Sequence, residues 1–426
     1  MPDDFGHLAA VMPRSIEGRA SWRAALATLA ILSVSYGAPL IVVVGLVRIQ
    51  TALGTDRSVP ALAGALVWIG TGVGGVMMGR VAEWTGMRLC ACFGAVMMAA
   101  GLVVSTRGGV AGLYVGHGLL IGLLGNGAIY PPLVTYVSRW FDRKRGTAIA
   151  LISSGQYIAG MIWPWLFERA MARFGWQVVM EAYAALTLAV IVPLAVVFLA
   201  PPPVPAVAAP KARGATRDGI ARGARVIGMR PGAAQALLCL AGFCCCVPMA
   251  IPSAHLVAYC GGLGLGAGTG ATMLSVLLGA AFVSRQAWGL FADRYGGLAT
   301  VIAGSAAQAT AIAAFLLTTN EAGLFAVSAA FGLGFAGIIP GYVLAVRDLF
   351  PSIEAAWRVP LILFTAMGGM AFGSWFAGAL YDHFGFYAPA FGAGVLFNLV
   401  NLAVVGFLLT RQGRTGGRRA EAMAPA

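Results

Sequence analysis

Long apolar runs recur through the whole 426-residue chain, each about the length of a bilayer crossing and each closed by a short polar turn. A spanning helix needs about 20 predominantly apolar residues. The hydrocarbon core admits only helices or closed barrels, because no water is there to satisfy free backbone groups. The runs lack the alternation of barrel strands, so they predict helices. Twelve spans are expected, near residues 24–48, 60–80, 88–106, 110–137, 147–168, 176–199, 233–258, 270–291, 298–318, 322–347, 359–380 and 386–410. Composition agrees: 59% of residues are hydrophobic and only 10% charged, against about a quarter charged in a soluble domain. The expected fold class is an all-α membrane protein, with the lipid bilayer as its main solvent.

Charge sets the direction of the spans. The chain has 28 basic and 15 acidic residues, a net charge of +13. In a soluble protein that balance points to nucleic acid; in a membrane protein it collects on the cytoplasmic side. With both termini cytoplasmic, the tails, the turns on that side and the mid-chain connection hold 22 of the 28 basic residues. Arg48, Arg57, Arg107, Arg169 and Arg173 fall on the other side, and Arg285 lies inside a span. The asymmetry predicts a multi-pass protein of the cytoplasmic (inner) membrane with no nucleic-acid partner. Residues 1–20 are polar and the first apolar run is long, so no cleavable signal is expected. The seven cysteines read as small apolar residues rather than a disulfide framework.

The expected organisation is a cytoplasmic tail (1–20), a six-span bundle (21–200), a cytoplasmic linker (201–231), a second six-span bundle (232–410) and a second tail (411–426). The linker opens with Pro201, Pro202, Pro203 and Pro205, then carries Lys211, Arg213, Arg217, Arg222, Arg225 and Arg230, the composition of a flexible connection. The bundles repeat. Gly79, Glu83 and Gly86 follow span 2, and Gly289, Asp293 and Gly296 follow span 8, each shifted by 210. Phe174-Gly175-Trp176 matches Phe384-Gly385-Phe386 at the same offset. Parallel six-helix repeats related by an axis along the membrane normal are a transporter architecture, with the solute site between them near the midplane.

At these residues the chain resembles the major facilitator superfamily. Residues Gly79 to Arg88 look like its loop 2–3 signature, with Glu83 where Asp is usual, and Gly289 to Gly296 look like the second copy. The resemblance implies two pseudo-symmetric six-helix bundles. It also implies a conformational latch in Gly79, Glu83, Gly86, Arg88, Gly289, Asp293, Arg294 and Gly296. A narrower resemblance is to the monocarboxylate-transporter branch, of bacterial type. It rests on Trp140-Phe141 with Arg143 to Ala148, on His255 to Tyr259, and on Arg285 to Asp293. In that branch an arginine four residues before the loop glycine binds the substrate carboxylate, and Arg285 matches it. Ala281 stands where the animal members have an acid one turn earlier, and Leu40 where they have a lysine, so their proton relay is not implied.

Arg285 is also the sharpest residue on physical grounds. It lies eight residues before Asp293, about 12 Å along a helix. An arginine at mid-depth costs about 2.5–3.5 kcal/mol on insertion scales, and such residues mark solute paths. Its planar fork fits a carboxylate; the competing reading is a structural ion pair. One deep cation with aromatic surroundings points to a monoanion with an apolar body. The candidates for the remaining wall are Tyr36, Asn126, Tyr130, Gln156, Tyr157, Tyr342 and Trp375, with plain helix packing as the alternative for each aromatic. His255, His117 and Glu181 are candidates for proton coupling or gating, with satisfied polar contacts as the alternative.

Other constellations fail on context. Gly332-x-Gly334-x-x-Gly337 lies in a span with no strand before it. No Gly-Lys pair exists for a phosphate loop, and four scattered histidines make a metal site unexpected. No cofactor and no enzymatic activity are expected. The function expected is a monomeric secondary transporter moving a small organic monocarboxylate by alternating access, with proton symport. The rivals are an efflux carrier for apolar or cationic drugs and a non-transporting solute sensor.

Overall fold

Glycine placement explains how the chain turns between its helices. Gly86 ends one helix and begins the next at φ +85°, ψ 153°, and Gly296 does the same at φ +81°, ψ 173°. That region is essentially closed to residues with a Cβ. The two positions are the signature glycines 210 residues apart, so the repeat seen in the sequence is also a repeat in backbone geometry. Gly175 and Gly385 likewise share positive φ, +83° and +82°.

The structure, a computed structural model, describes residues 17–202 and 225–423. Residues 1–16, most of the basic linker and the last three residues lie outside them. Among the described residues, eleven helices are long and apolar enough to cross a membrane. The first is α1 (Arg19–Val44), interrupted at Tyr36 and extended beyond Gly45 by a short helix, Leu46–Leu53. It is followed by α2 (Ser58–Thr85), α3 (Met87–Arg107) and α4 (Gly109–Ser138). The chain then forms α5, in two pieces (Arg145–Ser153 and Gly155–Phe174), and α6 (Trp176–Phe198). The second half holds α7 (Pro231–Gly262), α8 (Ala267–Tyr295), α9 (Gly297–Leu317), α10 (Glu321–Leu349), α11 (Ser352–Phe384) and α12 (Ala388–Met423). The element outside the set of eleven is α5. A break at Ser154 divides it, and Glu168, Arg169 and Arg173 occupy its last two turns, which shortens its unbroken apolar length. The last helix continues through the region expected to be a tail.

Each half has its own buried core, and the halves meet along two helix pairs. One is α2 against α11: a Cβ on Gly378 would lie 3.0 Å from Ser58 Cα, and one on Gly72 would lie 3.2 Å from Met367 Sδ. The other is α5 against α8, where a Cβ on Gly160 would lie 2.1 Å from Leu278 Cδ1. Small residues let helices approach this closely in lipid. The end of the bundle carrying the 54–57 and 385–387 turns is called distal here; the end carrying Gly86 and Gly296 is proximal. At the distal end Arg48 forms a two-pronged pair with buried Glu168, 2.6 and 2.7 Å, tying the α1 extension to α5.

Candidate functional site

A cavity of about 260 Å³ lies between the halves. Tyr36, Asn126, Tyr130, Gln156, Tyr157 and Arg285 all face it. Three local irregularities put them there. The first is the break in α1. Gly37 sits so near Tyr183 that a Cβ would lie 1.9 Å from its hydroxyl oxygen. Tyr183 donates to the Val34 carbonyl (2.7 Å) and Trp163 Nε1 donates to the Ser33 carbonyl (2.7 Å). The backbone groups beside the break are thus satisfied, and Tyr36 is fixed at the bend.

The second irregularity is in α4. Residues Val115–Asn126 wind with i→i+5 bonds, a rare wide helix form that is frequent at functional sites. The widened stretch ends at buried Asn126, whose Oδ1 accepts from Ser35 Oγ at 2.9 Å. Tyr130 follows one turn on and meets Tyr36 edge to face, ring centroids 5.5 Å apart. The third is the break in α5 at Ser154, directly before Gln156 and Tyr157.

Arg285 projects from α8 into this polar corner. Its Nη1 donates to the Tyr157 hydroxyl at 3.0 Å, and its guanidinium carbon lies 5.3 Å from the Tyr157 ring centroid. It forms no ion pair among the described residues. The residues lining the cavity include no Asp, Glu, His or Lys. A guanidinium with one neutral partner and donors to spare can take an anion by its fork.

The other candidates stand elsewhere. Tyr342 is 1% exposed and donates to Asn401 Oδ1 inside the second half, where Asn401 also reaches Ser305 Oγ at 2.8 Å. Trp375 is exposed on α11 and packs beside Phe372; its neighbour Ser374 lines the cavity instead. His117 is buried in the first half, its Nδ1 3.0 Å from Ser105 Oγ and 3.2 Å from the Leu113 carbonyl. Glu181 is paired at the surface with Arg107, 3.3 Å.

His255 lies behind the cavity wall. Its Nε2 is 2.7 Å from the Ser374 carbonyl and its Nδ1 3.0 Å from the Tyr387 hydroxyl. It belongs to a distal cluster joining the halves. Arg57 donates to Tyr387 (3.2 Å) and sits 3.6 Å from the Tyr381 ring centroid. Asp382 accepts from the backbone N–H of Arg57 and of Ser58. Sequence reasoning passed over Arg57, Asp382 and Tyr387. The signal available was the Phe384-Gly385 turn, since the cluster gathers around it.

The signature residues sit at the proximal end. Glu83 pairs with Arg139 of its own half at 3.5 Å, both partly exposed. Arg88, Asp293 and Arg294 are exposed, and neither Gly79 nor Gly289 has an atom within 4 Å of an added Cβ. Asp348, which the sequence did not single out, accepts the first N–H of α9 from Gly297 at 3.0 Å.

The sequence pattern of the Major Facilitator Superfamily matches residues 24–356. The chain belongs to that superfamily. The relatives it matches in that superfamily are transporters. Among superfamily relatives, the MFS-type transporter pynF of Aspergillus niger is 26% identical over 338 residues, 77% of this chain and 73% of that protein. The MFS transporter asaE of Aspergillus flavus is 25% identical, and the alignment spans 58% of this chain and about half (54%) of that protein. Monocarboxylate transporter 9 of Gallus gallus is 32% identical over 155 residues, 36% of this chain and 30% of that one. A D-xylose-proton symporter structure superposes with a TM-score of 0.72 over 91% of this chain and 96% of that chain, at 14% identity. At that identity the superfamily likeness is one of fold.

Proposed function

We propose that this protein is a secondary transporter that moves a small organic monocarboxylate across the cytoplasmic membrane by alternating access, as a monomer and with a proton. The observation that carries the reading is Arg285: a guanidinium on the cavity wall with a tyrosine hydroxyl as partner and no ion pair among the described residues. Burying a charge without a counter-charge is costly, and a substrate carboxylate relieves that cost. Tyr36, Tyr130, Asn126 and Gln156 offer further donors beside it.

In this reading α5 is the fifth of twelve spans. Its close approach to α8 at Gly160 supports that placement. The termini are cytoplasmic by the charge count, the chain is of the bacterial type, and the distal end faces outward. With that orientation, the distal contacts between the halves close the cavity to the outside. Glu83 and Asp293 act at the inner end, where their halves must meet when the cavity opens outward. With no carboxylate, histidine or lysine lining the cavity, the group available to carry the proton is the substrate's own carboxyl.

The test is uptake of a labelled monocarboxylate into proteoliposomes under an imposed pH gradient. Uptake driven by an acid exterior and lost in Arg285→Gln supports the reading. Equal uptake by correctly inserted Arg285→Gln overturns the anchor. Movement of apolar cations alone transfers the function to drug efflux.

A further inference from the structure

The cavity has two unlike walls. The polar groups gather on α1, α4 and α5, around Arg285. The face formed by α7 and α11 carries Cys246, Met249, Ala250, Ala254, Met367 and Met370, with Trp68 of α2 beside it. No side chain on that face is ionisable apart from the Cys246 thiol, and Ser253 turns its hydroxyl back to the Met249 carbonyl at 2.8 Å. Gly72 of α2 makes room for Met367, whose sulfur would stand 3.2 Å from a Cβ there.

We propose that the α7–α11 face is a tail subsite, with Met249, Met367 and Met370 as specificity-determining residues that select acids with an extended apolar body over two- and three-carbon acids. This rests on the assignment of Arg285 as the carboxylate anchor and goes beyond it by placing the rest of the substrate. A cavity of about 260 Å³ has room for several waters. A two-carbon acid held at Arg285 leaves most of that space to water against methionine and alanine, which offer it almost no hydrogen bonds. An alkyl or aryl body displaces that water and meets side chains that adapt their shape. Methionine is unbranched and polarisable, and fits varied apolar outlines. The subsite therefore reads length and apolarity rather than one rigid shape.

The experiment is a binding series on the purified protein, using acetate, butyrate, hexanoate and octanoate, each measured by thermal shift and by competition with a labelled acid. Burial of each methylene strengthens binding about fourfold, so affinity should climb along the series until the cavity is full. Met249→Ser, Met367→Ser and Met370→Ser should flatten the climb, lowering hexanoate and octanoate affinity far more than acetate affinity. Met367→Leu, which conserves volume, should preserve it and guards against a variant that merely misfolds. Acetate binding as tightly as hexanoate overturns the tail subsite and leaves the Arg285 anchor standing. A climb undiminished in all three serine variants also overturns the subsite. Failure of every acid to bind overturns the anchor and the subsite together.

Discussion

Asp382 of the second half caps a helix of the first. Its two carboxylate oxygens each accept a backbone N–H at the start of α2, from Arg57 and from Ser58, at 2.8 Å. The first N–H groups of a helix have no partner within it, and a carboxylate there also meets the positive end of the helix dipole. Arg57 completes the clasp by stacking over Tyr381 and donating to Tyr387. The two halves are therefore joined at the distal end by bonds that must break for that end to open.

Asp382→Ala should release the clasp. Loss of an N-cap costs about 1 kcal/mol, which corresponds to a roughly fivefold shift between two states. The distance between spin labels at positions 56 and 386, read by pulsed electron resonance, should lengthen in a larger share of molecules than in the parent. An unchanged distance distribution would show that the cap does not hold the halves.

Acidification should loosen the same clasp through His255. The Ser374 carbonyl can only accept, so Nε2 carries the proton and neutral Nδ1 accepts from Tyr387. Tyr387 in turn accepts from Arg57. A proton on Nδ1 faces the Tyr387 hydroxyl with a second donor and adds a charge near Arg57, which Asp382 offsets only in part. Tyr381 and Tyr259, also packed on Tyr387, bring no counter-charge. A ring with both nitrogens protonated cannot accept from Tyr387, so lowering the pH shifts the population toward distal opening. The labelled pair should show that shift on going from neutral to acidic buffer, and His255→Gln should remove it. A pH response retained in His255→Gln would assign the effect elsewhere.

Gly86→Ala and Gly296→Ala should each destabilise the protein by about 1–3 kcal/mol, because both glycines hold a backbone conformation that a Cβ disfavours. Nothing stands within 4 Å of an added Cβ at Gly86, so the effect there is conformational rather than a clash. Thermal unfolding in detergent checks it: a melting temperature equal to the parent's would show that these turns relax at no cost.

Tyr157→Phe should weaken carboxylate transport without removing it. The change deletes the hydroxyl that accepts from Arg285 and keeps the ring. A neutral partner lost from a charged group is worth about 1.5–3 kcal/mol, although solvent in the open cavity lowers that. A rise in KM of about tenfold, with insertion unchanged, is the expected result. Unaltered kinetics would show that the bond does not orient the guanidinium.

What the sequence made legible follows its periodicities. Apolar run length located the helices, and the 210-residue offset located the equivalent turns at Gly86 and Gly296. Arg285 stood out because a deep charge is expensive wherever it points. Tyr36, Asn126, Tyr130, Gln156 and Tyr157 reached the cavity because each lies at a helix irregularity, two of them beside a visible Gly-x-Pro or Pro-Pro. Tyr342 and Trp375 carry the same chemistry on helices whose rotation the sequence does not state; one faces its own bundle and the other the periphery. The clasp was hidden for a different reason. Asp382 and Arg57 are 325 residues apart, and each looks like an ordinary surface charge until the halves are docked. The break in α5 was hidden as well, since Ser154 and Gly155 resemble any small pair in an apolar run.

Whether Arg285 holds a carboxylate is read from ligand-induced stabilisation of purified parent and Arg285→Gln protein with hexanoate and with hexanamide. A ligand that binds the folded state raises the melting temperature by mass action. The expected result is a concentration-dependent rise for the parent with hexanoate, and a much smaller rise with hexanamide and for Arg285→Gln with either. A rise with hexanoate that is equal in parent and Arg285→Gln would contradict it.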